Sequence, residues 1–346
     1  MIFGFATRDG SARFASRFPV PKAASFYRGA QDFQVSTLGQ GSYLGEMDEQ
    51  TDCAYSDAAI SALTGGINFF DTSLNYRHQR SERALGAAFR RAIDAGHVAR
   101  DEFVVCTKAG YLVPGAVPAT LRPDDIAGKM HSMAPAFLKD QLERSQHNLG
   151  LGSIDVFYLH NPETQLRFIP ADEFYSRIRA AFEALESLAA ENAIRYYGAA
   201  TWDGFRTAGP GGLSLARLAS IAKEVAGDVH HFRFVQLPFN LAMQEALTQK
   251  TDPGRTVLDW ARELGITVVA SAAILQSRLA HGLPSQLAGK FPGLRTDAQR
   301  AIQFTRSTPG ITVALAGMSQ AAHVAENLGL GTVPPVTPEE YEHIFR

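Results

Sequence analysis

Four residues of this 346-residue chain have the types and the spacing to move a proton together: Asp71, Tyr76, Lys108 and His160. Each stands at, or just past, the end of an apolar run. Ile67-Asn68-Phe69-Phe70 ends on Asp71 and delivers Tyr76 five residues later; Phe103-Val104-Val105-Cys106-Thr107 ends on Lys108; Val156-Phe157-Tyr158-Leu159 ends on His160. A phenol, with an ordinary pKa near ~10, is a poor acid or base at neutrality unless a nearby ammonium favours its phenolate. Lys108 would supply that charge and Asp71 would hold Lys108 by an ion pair. His160 would hydrogen-bond a carbonyl oxygen or relay a proton to Tyr76. Taken singly, Asp71 reads as a turn cap, Tyr76 as a half-buried packing residue, Lys108 as a solvated strand end and His160 as a satisfied core histidine. Their convergence at three successive strand ends makes the catalytic reading the stronger one.

That convergence needs a fold that gathers strand ends. From about Phe33 onward, short apolar runs alternate with longer stretches of helical period, the pattern of repeated βα units around a parallel sheet. Strands are expected at 34–38, 67–71, 103–108, 154–160, 195–199, 233–237, 267–270 and 312–316. Helices are expected to begin near Thr51, Ser81, Pro135, Ala171, Leu213, Arg255, Thr296 and Gln320, several behind a Ser, Thr or Asp that can cap them. Eight such pairs in about 280 residues suit an α/β closed (β/α)8 TIM barrel, in which the C-terminal ends of the strands form the catalytic face. An open dinucleotide-binding sheet is the rival. The glycines at 39, 41 and 45 fit its motif poorly, because the third falls late and no helix opens there. Residues 1–346 read as a single domain with 1–32 as an N-terminal extension, in which 23–27 and 33–37 form a hairpin that plugs the base of the barrel. Segments 110–133 and 274–294 are too long for ordinary connections and are expected as loops on the active rim. Around the first, Tyr111 with Met130, Met133, Phe137 and Leu138 either packs or walls a substrate pocket. A last short helix opens at Thr337 with a capping signal.

Composition narrows the function classes. Apolar residues make up 45% and charged residues 20%, with a formal net charge of -2 and no long single-sign run, which argues against a nucleic-acid binder. Cys53 and Cys106 are the only cysteines, so neither a disulfide framework nor a zinc cluster has support, and the adjacent His230 and His231 would face opposite sides of a strand. Charges at Arg8, Asp9 and Arg13 come too early for a secretory signal, and no uncharged run approaches the ~20 residues that span a bilayer. The expectation is a soluble cytoplasmic protein with a small-molecule partner and no membrane or nucleic-acid partner. The oligomeric state is not specified.

The stretch from Asn68 through Tyr76, followed by Ser81-Glu82-Arg83-Ala84-Leu85-Gly86, resembles the signature of the aldo-keto reductases. Thr107-Lys108, Tyr158-Leu159-His160-Asn161-Pro162-Glu163, Gln236 with Phe239-Asn240, and Gly317-Met318-Ser319 through Glu326-Asn327-Leu328 fall in that family's order. The resemblance implies a nicotinamide cofactor extended across the rim, hydride transfer to a carbonyl carbon, and protonation of its oxygen by Tyr76. It places Gly41 and Ser42 near the nicotinamide, Gln236 and Asn161 at its carboxamide, and Gly317, Ser319, His323, Glu326 and Asn327 towards the adenosine end, with Ser319 capping the last barrel helix. Three departures stand out. Ala200 and Thr201 replace the usual Ser and Asn after the fifth strand. Ser271 stands where an aromatic commonly stacks on the nicotinamide, with Trp202 as a possible substitute. Arg77-His78-Gln79-Arg80 replaces a glycine-bearing turn and is expected to add charge beside Tyr76. Residues 317–327 hold no Lys or Arg for a 2′-phosphate. Arg278 is the expected substitute, so NADP(H) is preferred and NAD(H) is possible. The long insertion after Lys108 resembles the branch containing aldose and D-threo-aldose dehydrogenases, which implies oxidation of an aldose at its first carbon or the reverse reduction. The alternative is a cofactor-binding sensor or regulatory subunit with little turnover, similar to the potassium-channel β subunits.

Overall fold

A computed structural model describes residues 1–18, 26–252 and 254–345. Eight parallel strands close into a barrel. Two short strands precede it, β1 (Tyr27–Ala30) and β2 (Phe33–Ser36), joined as an antiparallel hairpin. The barrel strands are β3 (Leu38–Gly41), β4 (Phe69–Asp71), β5 (Val104–Ala109), β6 (Ile154–His160), β7 (Ile194–Ala200), β8 (Phe232–Pro238), β9 (Thr267–Ser271) and β10 (Val313–Gly317), each hydrogen-bonded to the next, with β10 against β3 and β7 against β8. Helices cover the outside. Among them are α2 (Glu49–Gly65), α3 (Arg80–Asp94), α4 (Pro135–Leu149), α5 (Ala171–Ala190), α6 (Leu215–Ala226), α7 (Val257–Glu263), α8 (Asp297–Ser307) and α9 (Ala321–Asn327), with α1 (Arg8–Ser16) before the barrel and α10 (Pro338–Phe345) after it. No helix of the described residues is long and apolar enough to cross a membrane.

The capping signals read from the sequence form as local chemistry dictates. The Asp48 side chain accepts from Thr51 N at the start of α2, and Thr256 and Thr296 make capping boxes with Asp259 and Gln299. Thr337 and Glu340 exchange the same pair of bonds at α10, 2.7 and 3.2 Å.

One strand assignment is corrected. The apolar run at 34–38 is not the first barrel strand: Phe33–Ser36 pairs with Tyr27–Ala30, and the barrel begins at Leu38. Alternation of Phe33 and Val35 with polar residues marks a strand but does not say which neighbour it pairs with. The true first strand carries Gly39, which no propensity scale favours. A Cβ there would come within 2.7 Å of Leu315 and 3.0 Å of Val313, so bare backbone is what lets β3 fit beside β10. The expected arm at 23–27 falls mostly outside the described residues. Helix α1 was not anticipated; its N-cap Thr7 accepts from Gly10 N.

Strand parity divides the core in two. Side chains alternate faces along a strand, so Phe70, Val105, Phe157 and Leu159 face the helices, while Phe69, Val104, Cys106, Val156 and Tyr158 face the barrel axis. The hairpin contributes Ala30, Phe33 and Val35 to this inner cluster and so fills the base of the barrel. Phe33→Ala would leave a cavity where the base is plugged, and a loss of about 3–5 kcal/mol in denaturant unfolding is expected; a loss below about 1 kcal/mol would mean the hairpin does not support the barrel.

Candidate active site

The same parity aims the chemistry. Counting on from the inward residues Phe69, Cys106, Tyr158 and Phe234, the next inward positions are Asp71, Lys108, His160 and Gln236, all at the C-terminal ends of their strands. Tyr76 arrives from the turn after β4, where its amide bonds Ser73 O at 3.0 Å. The chain then passes through three consecutive non-glycine residues at positive φ: Arg77 at 48°, His78 at 50° and Gln79 at 70°. Left-handed backbone is costly for such residues and persists only where the surroundings impose it. A turn for which the family resemblance implies glycine is thus kept in shape by other residues. Arg77 does the holding. Its Nε donates to Glu46 O at 2.7 Å and its Nη2 to Asp52 at 2.6 Å, and its guanidinium lies 5.4 Å from the Tyr55 ring. The expectation of charge beside Tyr76 is therefore corrected for Arg77: the guanidinium turns away, is buried, and ties down the loop that carries Tyr43 and Leu44.

Lys108 Nζ makes three contacts: Asp71 Oδ1 at 2.6 Å, Thr72 O at 2.7 Å and the Tyr76 hydroxyl at 3.4 Å. Gln236 Nε2 donates to the second Asp71 oxygen at 2.7 Å. Burial would lower the Lys108 pKa, but Asp71 and Tyr76 together lift it above its usual value, so it stays an ammonium. Burial pushes Asp71 up, opposed by Lys108 and Gln236. Burial also pushes the Tyr76 phenol above its ordinary value; Lys108 opposes this without overcoming it. The sequence-based picture of a phenol drawn down towards neutrality is thus corrected, because desolvation of the half-buried ring outweighs the ammonium. His160 is held well below the usual histidine range, by burial first and by Lys108 and His131 after it, and is neutral. Its Nδ1 lies 3.1 Å from Ser73 Oγ, and its ring meets Tyr76 edge-on at 5.7 Å. The arrangement can keep a phenol protonated and stabilise its anion when the proton leaves.

These groups open into a cleft of ≈ 390 Å³. Of the residues expected around a cofactor, Gly41, Ser42, Asn161, Thr201, Gln236, Ser271 and Gly317 line it. Arg278, Ser319, His323, Glu326 and Asn327 do not. Arg278 and His323 are exposed, and Asn327 is buried. Glu326 accepts from Thr296 at 2.7 Å, which commits it to α8. Ser319 does not cap α9: the N-cap is Gln320, one residue later, and no side chain caps the helix. Met133, Phe137 and Leu138 pack in the shell between strands and helices, so of that group only Tyr111 reaches the cleft, where Asn161 Nδ2 donates to its hydroxyl at 3.0 Å.

Other lining residues had no clear sequence signal. Tyr43 and Leu44 come from the β3 loop, and Gln276 and Ser277 from a turn after β9 that again runs left-handed without glycine, at φ 51° and 71°. Glu163 stands in the motif that carries the resemblance, but its role was not read there. Its Oε1 accepts from the amides of Trp202, Asp203 and Gly204 at 2.9, 3.1 and 3.2 Å, which fixes the loop that brings Thr201 and Trp202 to the cleft. Two features fit a nicotinamide nucleotide. Thr201 Oγ1 is a buried hydroxyl without a protein partner, an atom whose desolvation calls for a ligand group. Gly317 lines the cleft with no protein atom within 4 Å of where its Cβ would be, which leaves backbone bare for a close approach.

The geometry agrees with what the chain is similar to. Among solved structures, a glycerol dehydrogenase from Gluconobacter oxydans superposes with a TM-score of 0.67 at 19% identity, covering 93% of this chain and 94% of that one. An aldo/keto reductase from Klebsiella pneumoniae in complex with NADP and acetate gives 0.65 at 18% identity, covering 92% and 94%. By sequence, a D-threo-aldose 1-dehydrogenase from a Pseudomonas species is 32% identical over 148 residues, 40% of this chain and 41% of that protein. Across the curated relatives compared, the matches span between 36% and 54% of the relatives' length. The model of the aldo/keto reductase family matches residues 36–345, from the second hairpin strand to the last helix. The chain belongs to the aldo/keto reductase family.

Proposed function

We propose that the chain interconverts an aldose, or a similar neutral hydroxy-aldehyde, and the corresponding lactone or alcohol, with Tyr76 as the acid and base. The observation that carries this reading is the Tyr76 hydroxyl 3.4 Å from an ammonium that Asp71 holds at 2.6 Å. When bound, the nicotinamide cofactor supplies a hydride to the substrate carbon in reduction or accepts one in oxidation. Tyr76 gives a proton to the substrate oxygen in reduction and takes it back in oxidation. Lys108 lowers the cost of the phenolate, Asp71 and Gln236 keep Lys108 charged and placed, and neutral His160 orients the substrate oxygen. Thr201, Asn161 and Gln236 would hold the carboxamide, Gly41 and Ser42 would lie beside the nicotinamide, and Trp202 would cover it where Ser271 cannot.

The substrate class rests on the lining. Asn75, Tyr111 and His160 offer hydrogen bonds, and no Lys or Arg is among the described lining residues, which favours a neutral hydroxylated substrate over an acidic one. The sequence relative that acts on D-threo-aldoses points the same way. NADP(H) is the proposed cofactor, as in the Klebsiella neighbour, with exposed Arg278 beside Ser277 as the cation for the 2′-phosphate. The same reading takes residues 1–346 as one cytoplasmic catalytic unit with 1–32 as its extension.

Three outcomes are expected. Because Tyr76 is raised and His160 lowered, neither titrates near neutrality. Reduction should hold a constant kcat/KM from pH 6 to 8 and fall only as pH rises through the phenol pKa, while oxidation climbs over that alkaline range. A reductive loss between pH 6 and 8 would assign the proton to another group. Thr201→Val should leave the melting temperature of the free protein unchanged or higher, yet weaken cofactor binding about 3- to 10-fold in fluorescence titration; unchanged binding would remove Thr201 from the carboxamide site. In parallel titrations NADPH should bind more tightly than NADH, an advantage that Arg278→Ala abolishes; equal affinity in the unaltered protein would make NAD(H) the cofactor.

A further inference from the structure

The long segment between β5 and α4 does more than border the cleft. Ile126–Ala127 and His131–Ser132 pair as a hairpin of two-residue strands, and Tyr111 bridges to His131, so the segment folds back over the ends of β5 and β6. His131, fully buried, reaches from it to the backbone of a strand end: its Nε2 lies 2.7 Å from the carbonyl oxygen of His160. A carbonyl can only accept, so Nε2 carries the proton. In a neutral ring Nδ1 is then an acceptor, and Gln165 Nε2 donates to it at 3.0 Å. Burial pushes the His131 pKa down to about 4, which keeps the ring in this form. The contact depends on Gly110, where a Cβ would lie 2.5 Å from both His131 Nε2 and His160 O.

The peptide it grips is a critical one. Directly after His160 the chain turns through Asn161 at φ 47° and ψ 56°, and Asn161 N donates to Ala200 O at 2.6 Å. The His160–Asn161 peptide is therefore fixed at both ends, by the neighbouring strand at its N–H and by His131 at its carbonyl. One side of that peptide carries the imidazole beside Tyr76, and the other carries an amide lining the cleft.

We propose that His131 is a positioning residue, whose Nε2–H holds the His160 carbonyl and so sets where the His160 imidazole meets the substrate oxygen. The inference rests on the reading of Tyr76 and His160 as the groups at the reacting oxygen. His131→Leu removes the donor and keeps bulk, His131→Gln keeps an amide donor at a similar reach, and Gly110→Ala wedges a methyl between the ring and the His160 carbonyl, 2.5 Å from each. His131→Leu and Gly110→Ala should each lower kcat about ten- to a hundred-fold, the scale expected for a displaced group near 1 Å, with a smaller loss of cofactor affinity, because Asn161 on the same peptide also lines the cleft. His131→Gln should recover most of the loss. In a His160→Ala background His131→Leu should cost less than about twofold more, since the two act through one group. Losses that multiply in that background, or a His131→Gln variant as poor as His131→Leu, would overturn the proposal. Should one of the two disruptive variants fail to fold, the other decides. Should the unaltered protein turn over no faster than Tyr76→Phe, the reading of the site fails instead. The imidazole nitrogen resonances of His160 then decide the positioning: they shift in His131→Leu and return in His131→Gln if it holds, and stay unmoved if it does not.

Discussion

An ammonium and a carboxylate are buried 2.6 Å apart at the mouth of this barrel, and the rest of the site is arranged around keeping them there. Each ion loses several kcal/mol of hydration on burial unless it is paired and its remaining hydrogen-bonding capacity is met. An ammonium has three hydrogens. One goes to Asp71, one to the Thr72 carbonyl, and the third has only the Tyr76 hydroxyl, at 3.4 Å. The long contact is the one that a phenolate would tighten, because a hydrogen bond between two ions is shorter than one to a neutral hydroxyl. The second oxygen of Asp71 takes its bond from Gln236 on β8, which stands opposite β4 in the ring of strands. The ion pair is thus braced across the full width of the barrel, and closure of the sheet is a condition of the chemistry as well as of the fold.

Around this centre, the backbone accepts unfavourable conformations that side chains compensate. Arg77 to Gln79 run left-handed so that Tyr76 can lean over Lys108, and Arg77 holds that turn with bonds to Glu46 O and Asp52. On the far side, Glu163 gathers three amides to present Thr201 and Trp202, leaving its second oxygen buried and unpartnered, and burial pushes its pKa up. Both devices place a rim loop through a buried charged side chain.

The parts of this design that were legible in the sequence are those set by the alternation of apolar runs with helical stretches and by their order. Apolar runs at 67–71, 103–108 and 154–160 end on Asp71, Lys108 and His160, and eight βα units gather those ends at one rim. What was not legible depends on contacts between loops. Nothing in the string at 77–80 says that Arg77 turns from the cleft, because that follows from Asp52 and Tyr55 on another helix. The same holds for Gln276 and Ser277, and for the first barrel strand, where Gly39 is required by the packing of Leu315 and Val313. The pKa of Tyr76 was misjudged in direction because residue types reveal the ammonium but not the burial that opposes it.

Lys108 acts on the Tyr76 phenol through space, and the ionisation of that phenol reports the interaction. With ring-labelled tyrosine, and Tyr76→Phe to assign the signal, the Tyr76 carbon bearing the hydroxyl can be followed by NMR against pH in the unaltered protein and in Lys108→Met. Tyr76 should ionise above the ordinary tyrosine value near ~10 in the unaltered protein, and at higher pH still once the ammonium is gone. Ionisation at the same pH or lower in Lys108→Met would mean that the ammonium does not stabilise the phenolate.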